Sequence, residues 1–268
     1  MTSDLGASGA DHPGAPASPD WRDELAAGRF GAAHRAYLLT GGRDPGLQTA
    51  LSGLSDVQAL VRQKAWRRAI RRLENIEARP GQIPWARLEA DLERLRRAGE
   101  ALDRRRPEDA APELDAVDSG FFDAELETQR GTALIYDDRV DEAAACFERA
   151  LEADPRHYRA LTNLGNVALE QGRVDDAITA YQRALQLNDA FANAHHNLAV
   201  AYRRKGELGK SVRSLRRAQR LMQRRDADDA RERLGSLSGG RAGRTLRWVL
   251  TIAAAVVLYL VLKSRGML

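Results

Sequence analysis

Few residues of this sequence have types and spacings that could do chemistry. Gly209, Lys210 and Ser211 end like a phosphate-binding loop, which also requires a glycine five residues before Gly209 and a strand before that. Position 204 is Arg204 instead, and no strand pattern precedes it. The sequence therefore predicts a turn between two helices here and no nucleotide site.

The histidines and acidic pairs lack the geometry of a catalytic or metal site. His195 and His196 are adjacent, so on a helix they point about 100° apart and cannot share a metal as an i, i+4 pair does. The Asp pairs at 137–138 and 175–176 fall at turns between helices or at the starts of second helices, where Asp caps a helix and complements its dipole. The single cysteine, Cys146, lies at an inner helix position and is expected in the core. We therefore expect no enzyme activity, no metal and no cofactor.

One pattern of small and apolar residues returns every 34 positions between 124 and 223. In each copy, two helical patterns are separated by a turn signal, such as Gln171-Gly172-Arg173 in the middle copy. The five matched positions are, in the three successive copies, Gly131, Ala143, Phe147, Ala150 and Pro155; Gly165, Ala177, Tyr181, Ala184 and Asp189; and Ala199, Ser211, Leu215, Ala218 and Gln223. Each copy predicts a pair of antiparallel helices that must stack on a neighbour to bury its apolar face.

This period and these small residues resemble the tetratricopeptide repeat (TPR) family. The resemblance implies an all-α, TPR-type α-solenoid whose concave surface is lined by the first helix of each pair. Looser copies before residue 124 have their key alanines at 33, 69 and 110, which gives about six helix pairs with the first three degenerate. Lys64 stands where the second copy needs its turn glycine. Pro112 is expected within the first turn or so of a helix in the third copy, and a shorter helix there is the alternative.

The same patterns set the predicted domain boundaries. The segments are a disordered tail at 1–20, degenerate TPR-like helical repeats at 21–122, three TPR repeats at 123–223, a capping helix at 224–235, a linker at 236–245 and a transmembrane helix at 246–263. The loop at 79–86 is longer than the others, and Trp85 is expected to fix it to the following helix.

A C-terminal membrane anchor is predicted from the fifteen uncharged residues at 248–262. Nine of them are Val, Leu or Ile, which favours insertion by about 3 to 5 kcal/mol. The alternative is an apolar helix that docks on the repeats, but the run has no polar face. Many arginines precede the run, so the positive-inside rule places the repeats in the cytoplasm. Because arginine far outnumbers lysine and Ala and Gly abound, we expect the inner membrane of a bacterium.

The concave surface implied by the resemblance is where we expect a partner to bind. Asn is a poor residue inside helices, and its repeated use on one face suggests hydrogen bonds to an extended peptide, with Arg nearby to hold a carboxylate. The predicted groove residues are Arg159, Asn163, Asn166, Asn193, His196, Asn197, Arg203 and Arg231, and further candidates are Thr128, Gln129, Thr132, Tyr136, Glu170 and Arg204. The alternative, that Asn163 and Asn197 only bond to neighbouring helices, stays open.

The set is similar to the clamp with which some TPR adaptors hold the acidic C-terminal tails of chaperones. Asn166, Asn197 and Arg231 match three positions of that clamp, whereas Thr162 and Ala227 stand where it has Lys. We therefore expect a scaffold that recruits a protein with an acidic or extended segment to the membrane. A constitutive structural subunit of a bacterial membrane complex is the alternative. The net charge of +4 comes without interleaved aromatics, so nucleic acid is not expected.

Overall fold

Twelve helices follow one another in the described part of the chain, and they pair as six consecutive hairpins. The computed structural model describes residues 20–118 and 120–239, with side chains at 20–118, 120–228 and 230. No strand occurs in these residues. The helices are α1 Trp21–Ala26, α2 Phe30–Leu39, α3 Pro45–Arg62, α4 Trp66–Glu74, α5 Trp85–Asp103, α6 Pro107–Asp115, α7 Asp123–Tyr136, α8 Val140–Ala153, α9 Tyr158–Glu170, α10 Val174–Leu187, α11 Ala192–Arg204 and α12 Leu208–Gly239. The predicted all-α helical repeat is confirmed.

Each hairpin turns at a residue with a left-handed backbone. These residues have φ between 54° and 84° and are Gly28, Lys64, Arg105, Asp138, Gly172 and Gly206. The amide after each one donates to a carbonyl five residues earlier; Arg173 N, for example, lies 2.8 Å from Ala168 O and Ala65 N lies 3.0 Å from Leu60 O. This closure satisfies carbonyls that the end of the first helix leaves open. Lys64 thus adopts the glycine conformation, and the degenerate second hairpin turns as the regular ones do.

The spacing that repeats from hairpin to hairpin brings a small residue of the first helix against a large residue of the second. A Cβ atom added to Gly131 would lie 2.5 Å from Phe147 Cε1, and one added to Gly165 would lie 2.5 Å from Tyr181 Cε1. Both aromatic rings are buried. Glycine is therefore required at these two positions because the ring of the partner helix occupies the space of a side chain.

The first three hairpins share one apolar core with the connection that follows them. Phe121 and Phe122, just before α7, pack against Phe30 of α2 with ring centroids 6.2 and 5.9 Å away. Gly28 lies so close to this connection that an added Cβ would be 2.5 Å from the backbone oxygens of Gly120 and Phe121. The first hairpin is thus held by the segment that leads into the fourth.

Two local predictions in this half meet different outcomes. Trp85 begins α5 and does fix the long loop, since its Nε1 donates to Pro80 O at 3.2 Å. Pro112 was expected within the first turn or so of its helix, and the structure places it at the sixth residue of α6. Pro107 occupies the start of α6 and Pro112 lies in the second turn, because a proline at the first helical position lacks only an N–H that would be unpaired anyway.

The chain divides into two compact units, one through Asn188 and one from Asp189. In the second unit, α12 is continuous from Leu208 to Gly239. A separate capping helix at 224–235 and a linker from 236 were predicted, and the structure differs because no Gly or Pro between 210 and 234 ends the helix.

No helix of the described residues is long and apolar enough to cross a membrane. The predicted transmembrane helix at 246–263 lies outside the described residues, as do residues 1–19 of the predicted N-terminal tail.

Candidate functional site

A cleft of about 190 Å³ opens between the C-terminal halves of α7 and α9 in the first unit. It is lined by Thr132, Ile135 and Tyr136 of α7, Phe147 of α8, and Asn163, Asn166, Val167 and Glu170 of α9. Five of these eight residues carry hydrogen-bonding side chains, and all five were predicted as groove residues. The 34-residue repeat puts them together because equivalent positions of successive first helices face the same side.

The polar groups of the cleft differ in how far they are already engaged. Tyr181 Oη donates to Asn166 Oδ1 at 2.8 Å, which fixes the orientation of that amide. Tyr136 Oη donates to Leu102 O at 3.2 Å, and 43 % of this residue stays exposed. Half-buried Asn163 and exposed Glu170 form no hydrogen bond or ion pair with any other described residue. Asn163 therefore presents a donor and an acceptor to a ligand, and Glu170 presents a carboxylate.

Next to the cleft, the N-terminal halves of α7 and α9 meet in a buried charged cluster around Glu125. Arg159 Nη1 lies 2.8 and 3.1 Å from the two carboxylate oxygens of Glu125. Gln129 Nε2 donates to the same carboxylate at 2.8 Å, and His157 Nε2 lies 3.2 Å from it. The backbone N–H of Ala160 points at His157 Nδ1. That nitrogen accepts, so the proton of a neutral ring sits on Nε2 and is donated to Glu125.

Burial and ion pairing shift the pKa of Glu125 in opposite directions. Burial by itself raises the pKa of this carboxyl, but the charge of Arg159 and the hydrogen bond from His157 outweigh it and lower the pKa to about 2. The side chain of Arg159 is only 12 % exposed. Arg159 is thus engaged with Glu125 and does not line the cleft. Thr128 and Gln129, also expected in the groove, are buried.

Residues 128–191 and 169–221 match the profile of the tetratricopeptide repeat family, in two overlapping ranges. The helical repeat is TPR-like. Similar solved structures include MamA, at 22 % identity over 62 % of this chain and 93 % of that one, with a TM-score of 0.41. Another is the second TPR domain of Spaghetti (RPAP3) bound to an HSP90 peptide, at 19 % identity over 37 % of this chain and 92 % of that one, with a TM-score of 0.36. No curated protein gave a match.

The remaining predicted residues lie on α11 or beyond, in the second unit. Asn193 and Asn197 are one helical turn apart, Asn193, His196 and Arg203 are exposed, and Asn197 is half-buried. The side chain of Arg231 lies outside the described ones. The structure therefore brings Asn163 and Asn166 into one TPR-like cleft and places the α11 residues on a polar helix surface of the other unit.

The Glu125 cluster is the feature that analysis of the sequence missed. Glu125 and Arg159 stand 34 residues apart, at the same position of two successive repeats. Gln129 and Leu95, which bond at 3.1 Å, are also 34 apart. Opposite charges at one repeat position are a signal that the two first helices meet there, and this signal was present in the sequence.

Among the described residues, no three His, Cys, Asp or Glu side chains are grouped so that they could hold a metal ion. Cys146 is buried, and burial, together with the charge of Glu127, raises the pKa of its thiol. A raised thiol pKa keeps the sulfur protonated and unreactive near neutral pH.

Proposed function

We propose that this chain is a non-enzymatic TPR-type scaffold that holds an extended segment of a partner protein in the cleft between α7 and α9. The observation that carries the proposal is the unengaged amide of Asn163 beside the exposed Tyr136 and Glu170 in one concave site. An amide that can both donate and accept pairs with the backbone of a peptide whose own secondary structure leaves its N–H and C=O groups free. The family match over 128–221 supports a protein partner.

The charges of the cleft change what partner we propose. An acidic segment was expected because of Arg159, but that guanidinium is paired with Glu125. The cleft itself carries the carboxylate of Glu170 and no cationic side chain among its lining residues. We therefore propose an extended segment that is not acidic where it crosses this cleft.

We further propose that the scaffold is recruited to the cytoplasmic face of a bacterial inner membrane. The support is the uncharged run at 248–262, bracketed by Arg244, Arg247, Lys263 and Arg265. A run of this length reaches most of the way across a hydrocarbon layer of about 30 Å, and the stems of the flanking basic residues extend it. With the anchor at one end, a partner held in the cleft would be kept close to the membrane.

The test compares partner capture from membranes by the full chain and by Asn163→Ala and Tyr136→Ala variants. Gln186→Ala on α10, an exposed polar residue away from the cleft, is the matched control. We expect both cleft variants to lose the partner and the control to keep it, with all helix contents equal by circular dichroism. Retention of the partner by both cleft variants would refute the cleft as the site.

An exchange experiment on the captured complex tests the alternative of a constitutive subunit. A peptide held in a cleft exchanges, so a labelled full chain added to the purified complex should replace the bound one within hours. A permanent subunit buries a large apolar interface and does not exchange without denaturation. Failure to exchange, together with indifference to the cleft variants, would favour the subunit.

A further inference from the structure

Four large apolar side chains form a stripe along the exposed side of α12. Their exposed fractions are 64 % for Leu208, 46 % for Val212, 38 % for Leu215 and 42 % for Met222. Their spacing of four, three and seven residues keeps them on one line of the helix, about 20 Å long. The stripe borders the face that packs on α11, where Ser211 and Ala218 are buried and Ser211 Oγ donates to Ala199 O at 2.7 Å.

A row of arginines runs beside this stripe. Arg213, Arg216, Arg220 and Arg224 recur at steps of three, four and four residues, and all four are exposed. None of them forms an ion pair or hydrogen bond with another described residue. Most arginines of the first unit are paired with carboxylates, Arg96 with Glu93 and Glu100 for example. The α12 row is thus a free cationic surface directly next to an apolar one.

We propose that this surface of α12, the apolar stripe with its arginine row, lies on an anionic lipid bilayer. Apolar side chains on one line with basic residues beside them are the arrangement with which helices bind in the plane of a membrane interface. Charge favours this occupant: two copies of α12 brought together antiparallel along the stripe would face arginine with arginine. Nucleic acid would engage the arginines but leave the apolar stripe exposed to water.

The position of α12 in the chain points to the same occupant. α12 is described as far as Gly239, and the uncharged run begins nine residues later at Trp248. If that run enters the bilayer, the short connection keeps α12 within a few tens of ångströms of the headgroups, so that its arginines can approach to the Debye length of about 10 Å over which the surface potential acts. The inference deepens the proposed membrane recruitment and rests on it for this step, but the α12 surface can be tested separately.

The test uses the full chain carrying Val256→Asp and Val257→Asp, which cancels the insertion energy of the uncharged run. Binding to vesicles of phosphatidylcholine with and without phosphatidylglycerol is measured by sedimentation at two salt concentrations. Arg213→Gln/Arg216→Gln/Arg220→Gln is added to one sample. The matched control is Arg67→Gln/Arg68→Gln/Arg71→Gln, which removes three equally exposed and unpaired arginines from α4.

We expect the aspartate variant to bind the anionic vesicles only, and to release at high salt. The α12 triple change should weaken this binding by about 100-fold, since each arginine contributes roughly a factor of five near an anionic surface. The α4 change should leave it within about twofold. Absence of anionic binding, or equal weakening by both triple changes, would overturn the proposal. The anchor is judged from the unsubstituted chain: release of that chain from neutral vesicles at high salt would refute the anchor and not the α12 surface.

Insertion of the stripe gives a second readout. An environment-sensitive fluorophore is attached at Leu215→Cys in a Cys146→Ala background, with Glu148→Cys on α8 as the control position. A blue shift at 215 on anionic vesicles, absent at 148, is the expected result. Two outcomes without vesicles would overturn the proposal. A blue shift that grows with protein concentration would mean that a second copy covers the stripe. A blue shift that does not depend on concentration would mean that the chain's own apolar run covers it.

Discussion

At the scale of single residues, the contribution of an ion pair to stability depends on whether the pair is buried or exposed. Exposed pairs such as Arg139 and Glu142 lie on the surface and contribute little. Glu125 and Arg159 are buried or nearly so, and each would be an uncompensated buried charge without the other. Removal of either partner is therefore expected to cost more than the loss of a surface pair, and the pair lies next to the cleft.

Replacing Glu125 by Gln should lower the free energy of unfolding by about 3 kcal/mol or more, because Arg159 then stays buried without its counter-charge. Glu142→Gln on the surface should change the free energy of unfolding much less, because solvent screens the exposed pair. Urea unfolding followed by circular dichroism measures both changes. Equal costs for the two variants would contradict the role given to the buried pair.

Glu125 also predicts acid sensitivity. The folded-state pKa of about 2 lies below the reference value of 4.5, so the ionised carboxylate stabilises the fold above the reference pKa. This stabilisation is lost as the pH falls from about 4.5 towards 2. Urea midpoints taken at pH 7, 4.5 and 3.5 should fall more steeply for the wild type than for Glu125→Gln. Parallel curves would show that another carboxyl controls the acid response.

At the scale of helices, each hairpin depends on a turn residue with a left-handed backbone, a conformation that residues other than glycine disfavour. Arg105 has a φ of 58° and Asp138 has a φ of 59°, which strains a residue that carries a side chain. The equivalent turn residues of the later hairpins are Gly172 and Gly206, and glycine adopts a positive φ without strain. These positions hold because the closure by backbone hydrogen bonds compensates the local strain. These two hairpins thus carry a cost that a glycine would remove.

Arg105→Gly should therefore stabilise the protein by about 1 kcal/mol. The neighbouring Arg104→Gly has an ordinary φ of −87° and should destabilise by roughly 0.5 to 1 kcal/mol, because glycine adds freedom to the unfolded chain. Thermal unfolding of the two variants provides the comparison. Opposite signs support the strained turn, and two losses of stability speak against it.

The contact between a small residue of the first helix and a large residue of the second can be tested by a double-mutant cycle. Gly131→Ala should cost about 1 to 3 kcal/mol, since its Cβ would meet Phe147 Cε1 at 2.5 Å. The sixth hairpin has Ala199 and Leu215 at the equivalent positions, so Gly131→Ala with Phe147→Leu should lose less than the sum of the two single changes. A strictly additive cycle would mean that the two residues do not share the same space.

At the scale of the whole molecule, the proposals separate partner binding from membrane binding. The cleft belongs to the first unit, whereas α12 belongs to the second unit and the uncharged run follows α12 in the sequence. Asn163→Ala should therefore abolish partner capture without changing membrane sedimentation. Val256→Asp/Val257→Asp should release the protein from neutral membranes without weakening the partner in solution. If either change alters both properties, binding and anchoring are coupled.

Much of this molecule followed from the sequence alone. The 34-residue spacing determined the helix hairpins and their turn positions, because a repeated pattern of small and apolar residues has one way to bury itself. It also predicted that Asn163, Asn166 and Glu170 would share one face with Thr132 and Tyr136. These features depend on period and on residue size, both of which are local.

Tertiary structure alone decided which residues of that face stay open. Thr128, Gln129 and Arg159 have groove positions but are covered or engaged, since Gln129 reaches Leu95 on α5 and Arg159 reaches Glu125 on α7. Exposure of a first-helix residue depends on the side chains of the neighbouring repeats, which no single repeat encodes. The same holds for Lys64 and Arg105: only the closed hairpin around them supplies the hydrogen bonds that hold a left-handed backbone.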